Sequence, residues 1–134
     1  YSYVDQMPKA GETKHSKSFE IGFGGKGSNQ AIAASRLGCK TAMIGKIGND
    51  PYGKSYKDHF NNEAVNTEYL EEVVGAYTGI ALIVVDTKDG NNQIVIHANA
   101  NEHLSVQDVT KSNEVLKNSQ VCLLLQKKRV SRVV

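Results

Sequence analysis

The sequence predicts an α/β fold built on a mainly parallel sheet, and three observations predict it. Segments of helical period alternate with short apolar runs along the 134 residues. The run Thr41-Ala42-Met43-Ile44-Gly45 is near-continuously apolar, as a strand covered on both faces must be. Capping residues and glycines stand where helices should start and stop.

Taken in order, residues 1–14 are polar and turn-like, with Pro8 and Gly11. Ser18 to Phe23 alternates polar with apolar or glycine, the period of a half-exposed strand. A loop, Gly24-Gly25-Lys26-Gly27, follows, and Ser28 or Asn29 caps a helix over Gln30 to Leu37. Ile32, Ala33 and Leu37 give that helix its apolar side, and Gly38 ends it. Asn49-Asp50-Pro51 starts a second helix, with Tyr52, Tyr56 and Phe60 recurring every four residues. Thr78 to Val85 and Gln93 to His97 form a hairpin about the turn Asp86 to Asn91. Ser105-Val106-Gln107-Asp108 resembles a capping box and opens a helix to about Asn118. Val121 to Leu125 reads as a buried strand. The strand before Gly24 and the hairpin do not suit a parallel core, so both are assigned to a separate, half-wet sheet.

Bulk properties exclude several classes. A chain 40% hydrophobic and 22% charged has the material for a core and is not disordered. A net charge of +2, from 16 basic and 14 acidic residues, gives no reason to expect nucleic acid. Cys39 and Cys122 lie beside or within apolar runs and are expected to be buried, reduced thiols. His15, His59, His97 and His103 do not cluster, and no spacing suggests a metal site. No stretch approaches the roughly 18 apolar residues of a membrane span, and no signal peptide is visible, which makes the cytoplasm the default. Lys127-Lys128-Arg129-Val130-Ser131-Arg132 is a composition break, taken as a solvated basic end; a nuclear signal is the other reading.

The most informative stretch is Gly22-Phe23-Gly24-Gly25-Lys26-Gly27-Ser28-Asn29. Glycines let a ligand approach the backbone, and the helix that follows presents unpaired N–H groups at its positive end. Lys26 adds a charge and three donors; Asn29 adds a donor and an acceptor. This equipment suits a small polar ligand. It is not a P-loop, because Lys26 is followed by glycine and no glycine stands five positions before Gly25. Gly22, Gly24 and Gly27 match the dinucleotide pattern, but a half-polar strand precedes them and no acidic residue ends the next strand.

The loop has further company. Pro8-Lys9-Ala10-Gly11-Glu12-Thr13 with Gly22 to Gln30 resembles the N-terminal signature of ribokinases in the PfkB carbohydrate kinase family. Gly48-Asn49-Asp50-Pro51-Tyr52-Gly53, Thr78-Gly79-Ile80-Ala81-Leu82 and Ile96-His97-Ala98-Asn99-Ala100-Asn101 continue the resemblance in order and spacing. It implies part of a three-layer α/β/α sandwich over residues 1–126, with a small β-sheet lid from strands at about 14–23 and 78–97, followed by a divergent tail at 127–134. By position, Gly24 would permit close approach, and Gly25, Lys26 and Asn29 would hydrogen-bond the hydroxyls of D-ribose.

The implied reaction is ATP-dependent phosphorylation of ribose to ribose 5-phosphate, with magnesium on the phosphates and potassium as activator. The resemblance puts the sites for all three outside this chain. It also puts the catalytic base there, in the C-terminal half of the family fold. No residue of the chain is expected to be catalytic: Asp86 and Asp89 fall in the hairpin turn and Asp108 in a cap. The resemblance further implies a homodimer formed through the lid. The family's first strand, ending in a sugar-binding Asp, is expected before Tyr1. Two positions depart from the pattern: Lys128 stands where the family usually has a Glu, and Asn99 where it has a Gly. Two other functions remain to be weighed. One is a non-catalytic sugar-binding or dimerisation fragment, the other a dinucleotide-binding domain.

Overall fold

The computed structural model describes residues 1–125. In chain order it contains β1 (Ser2–Val4), β2 (Ser18–Phe19), α1 (Lys26–Arg36), β3 (Thr41–Ala42), β4 (Gly45–Gly48), α2 (Pro51–Asn62), β5 (Val65–Asn66), β6 (Leu70–Val73), β7 (Ile80–Asp86) and β8 (Asn92–His97). A 3₁₀ turn at Asn99–His103, α3 (Val106–Lys111) and α4 (Asn113–Lys117) follow.

The strands separate as the sequence suggests. β3 pairs with β5 and β4 with β6, both parallel. The remaining four form a mixed sheet in the order β2-β1-β7-β8. β7 and β8 are the expected hairpin, antiparallel from Ile80↔His97 to Val85↔Asn92.

Side-chain alternation along β4 sets the layers. Ile47 is buried with Ala31 and Ile32 of α1, Phe60 of α2, Val65 and Leu70. Its neighbour Lys46 points to the other side, where Nζ donates to Asp108 Oδ1 of α3 at 2.7 Å. Helices α1 and α2 therefore cover one face of the parallel ribbons and α3 the other, the α/β/α order. The buried cluster is small, with Met43 and Tyr56 at its margin. The chain exposes 10267 Å², against about 6,900 Å² for a compact monomer of 14.6 kDa. Part of the exposed surface is apolar and on the mixed sheet: Phe19, Leu82, Ile94, Val95 and Ile96 are all at least half exposed.

Several expectations are corrected. Residues 2–4 are a strand, not a turn, and sit centrally in the mixed sheet, parallel to β7 and antiparallel to β2. The lid strand expected at about 14–23 shrinks to Ser18–Phe19, because only Ser2 and Tyr3 pair with it. Helix α1 begins at Lys26, not Gln30, with Gly25 as its N-cap and no side-chain cap. Its buried stripe is Ser28, Ala31 and Ile32, an i, i+3, i+4 set that leaves Leu37 exposed. Strands β5 and β6 come from a stretch that carried no strand signal. The helix expected from Ser105 to Asn118 breaks at Ser112, whose hydroxyl donates to the Asp108 carbonyl at 2.9 Å.

Val121 to Leu125 pairs with no strand among the described residues and is exposed. Leu125 nonetheless reaches α1: a Cβ on Gly27 would lie 3.2 Å from Leu125 Cδ1. Cys39 and Cys122 are exposed, not buried: Cys39 lies between α1 and β3, and Cys122 in the unpaired stretch after α4. Lys128 and the basic tail lie outside the described residues. Among the described residues, no helix is long and apolar enough to cross a membrane.

Candidate functional site

Gly25 has φ 97° and ψ 134°, a conformation essentially reserved for glycine. This sharp bend lets the chain enter α1 directly, and the Asn29 N–H donates to the Gly25 carbonyl at 2.9 Å. The N–H groups of Lys26, Gly27 and Ser28 belong to the open first turn, where no intrahelical carbonyl can reach them. Lys26 and Asn29 stand three residues apart, so they share one face of that turn, and both are exposed. A Cβ at Gly24 would meet nothing within 4 Å, so the space before it is open. The four residues singled out by sequence, Gly24, Gly25, Lys26 and Asn29, thus form one surface at the positive end of a helix. Ser28 faces inward instead; its Oγ is buried and finds no partner among the described residues.

Helix α2 holds the loop from behind. The Gly24 N–H donates to Tyr56 Oη at 2.6 Å, and the Tyr56 hydroxyl donates to the Gly24 carbonyl. Phe23 stacks on the His59 ring at 4.2 Å and makes a T-shaped contact with Tyr56 at 5.1 Å. The sequence reading placed Tyr56 in the apolar stripe of α2 and missed this role. The four-residue spacing of Tyr56 and Phe60 was visible, but the hydroxyl's partner lies 32 residues away.

The carboxylates of Asp50, Asp86, Asp89 and Asp108 have internal partners. Asp86 accepts from the Met7 and Lys88 N–H groups, and Asp89 from the Asn91 side chain. Asp50 caps α2 through the Gly53 N–H and also takes the Thr78 N–H and hydroxyl. Burial works to raise the Asp50 pKa, but the hydrogen bonds from Thr78, Gly53 and Tyr52 outweigh it and hold the carboxyl below its usual value. Asp108 is held far below the usual carboxylate range by the Lys46 ammonium first and by Ser105 next. Lys46 is raised in turn by Asp108 and Glu71. Asn99 sits at φ 48°, where a glycine is unstrained and asparagine is tolerated, and its side chain donates to the Thr78 carbonyl at 3.2 Å.

Comparison with known proteins follows the same line. The pfkB family carbohydrate kinase profile matches residues 1–131. The chain is 41% identical over 122 residues to ribokinase of Mus musculus, covering 91% of this chain and 38% of that protein. It is 39% identical to deoxyribokinase of Salmonella typhi, covering 92% of this chain and 40% of that protein. The structure of Arabidopsis thaliana ribokinase complexed with ribose and ATP superposes with a TM-score of 0.69 at 31% identity, covering 82% of this chain and 37% of that one. The chain spans about two fifths of the length of the curated relatives it matches.

Proposed function

The chain belongs to the pfkB family of carbohydrate kinases, and on that premise we propose that it is the sugar-binding part of a ribokinase-type enzyme. The whole activity is transfer of the ATP γ-phosphoryl group to a hydroxyl of D-ribose. Its carrying observation is the surface made by Gly24, Gly25, Lys26 and Asn29 at the open end of α1. The Gly25 and first-turn N–H groups donate to sugar oxygens, the Lys26 ammonium adds a charged donor, and the Asn29 amide both donates and accepts. Such convergent donors fix a sugar's orientation, and fixing the acceptor hydroxyl is most of what a protein contributes to phosphoryl transfer.

The described residues do not fit the nucleotide's metal. Among them no three His, Cys, Asp or Glu side chains converge, and the carboxylates Asp50, Asp86 and Asp108 are occupied by internal donors. We assign ATP, magnesium, potassium and the catalytic base to the portion of the family fold beyond the matched stretch. The mixed sheet is read as the lid over the sugar. Its exposed apolar cross-strand pair, Leu82 and Val95, supports a homodimer formed lid to lid.

Ribose-dependent ADP release tests the assignment. This chain alone should show none, whereas the chain fused to the remaining C-terminal portion of a ribokinase should turn over ATP only when ribose is present. Ribose-independent turnover, or none in either, would remove the reading.

A further inference from the structure

We propose that the Tyr56 hydroxyl is the positioning group of the glycine loop: it fixes the Gly24–Gly25 peptide so that the Gly25 N–H is aimed out of the protein beside Lys26 and Asn29. The functional consequence rests on the sugar-binding reading above; the geometric claim does not.

One oxygen serves two groups. Tyr56 Oη accepts the Gly24 N–H at 2.6 Å and donates its own proton to the Gly24 carbonyl. A hydroxyl has one proton and two lone pairs, so both bonds form together. They define the orientation of the peptide on each side of Gly24. A trans peptide is planar, with C=O and N–H pointing in opposite directions. With the Gly24 carbonyl turned to Tyr56, the next N–H, that of Gly25, must point away from α2.

The loop has little else to hold it. Glycines at 22, 24, 25 and 27 allow many backbone conformations, and ordering them is costly. Gly25 must also stay at φ 97° for α1 to open at Lys26. The Tyr56 ring is itself fixed. It lies on α2 against Phe60 at 5.5 Å and in a T-shaped contact with Phe23, while His59 stacks on Phe23. Helix α2 thereby carries one polar atom to the most glycine-rich part of the candidate site. Preorganised donors bind a sugar without the entropic cost of ordering the loop at the moment of binding.

Tyr56→Phe is the direct test, since it keeps the ring and its packing and removes only the oxygen. Exchange of the Gly24 amide should quicken about three- to tenfold, the worth of one ordinary hydrogen bond. The D-ribose dissociation constant, read from loop amide shifts, should rise by a similar factor, with the helical circular dichroism unchanged. Tyr52→Phe, on the exposed side of the same helix, should move neither quantity. Unchanged Gly24 exchange overturns the proposal. Faster exchange with unchanged ribose affinity overturns the functional consequence, because the hydroxyl would then hold the peptide without preparing the loop for the sugar. If the unmutated loop does not respond to ribose, the sugar reading fails, and Gly24 exchange alone still decides whether Tyr56 sets the peptide.

Discussion

Asp50 and Thr78 are joined twice: Asp50 Oδ2 accepts the Thr78 N–H at 2.8 Å and Oδ1 the Thr78 hydroxyl at 2.7 Å. The same carboxylate caps α2 through the Gly53 N–H at 2.7 Å, and the Thr78 hydroxyl accepts the Gly48 N–H at 3.0 Å. Asp50 thus fastens the root of the hairpin to the start of α2, and Thr78 extends the link to the end of β4. Gly48 and Gly53 are needed for this approach, since a Cβ on either would strike Thr78 or the Gly48 carbonyl.

Asp50→Ala should therefore cost more than loss of an ordinary cap. Removing the cap and leaving the Thr78 donors without their acceptor should lower unfolding free energy by about 1–3 kcal/mol in urea titration. A change below a few tenths would show that the hairpin root is held by other contacts.

The Lys46 cluster predicts a pH dependence. Asp108 and Glu71 both have lowered pKa values in the fold, Asp108 through Lys46 and Ser105, Glu71 through Lys46 and Lys111. A carboxylate lowered on folding contributes stability above its unfolded pKa, near 4, and loses it as pH falls toward the folded value. Thermal midpoints should fall on acidification below about pH 4. Lys46→Met should lower the neutral-pH midpoint and flatten that acid slope. An unaltered slope would mean that other carboxylates govern it.

Lys26→Ala should weaken ribose binding by about 1–3 kcal/mol, the worth of a charged hydrogen bond, with no loss of helix content. Lys26 is exposed at the first position of α1. An unchanged dissociation constant, by calorimetry, would remove Lys26 from the site.

Leu82 and Val95 face each other across β7 and β8, 63% and 68% exposed. A charge at either is compatible with the fold, since neither is buried. Leu82→Asp should convert a dimer to a monomer in sedimentation equilibrium, because a carboxylate desolvated at an apolar interface is strongly unfavourable. A monomeric unmutated chain would remove the lid-to-lid assembly.

What was legible in the sequence was local chemistry. Asp50-Pro51 announced α2, Ser105 with Asp108 announced α3, and Gly38 ends α1 at φ 91° as expected. The glycine loop was legible because its residue types have few other uses. What was hidden depends on pairing at a distance. Ser2–Val4 is a strand because β7 lies beside it, some eighty residues on. Leu70-Glu71-Glu72-Val73 hides its strand behind two acidic residues, of which Glu71 pairs with Lys46 and Lys111 across elements. Val121 to Leu125 shows the reverse failure: apolar composition without a paired neighbour does not make a strand. Tyr56 was hidden for the same reason as β1, since its partner Gly24 is on another element.

The central claim, that the loop from Gly24 to Asn29 binds ribose, is tested most directly by titrating the ¹⁵N-labelled chain with D-ribose and following each amide. Saturable shifts at Gly24, Gly25, Lys26 and Asn29, absent with a hexitol at the same concentration, are the predicted result. Shifts confined to other residues, or none at these four at saturating ribose, would contradict it.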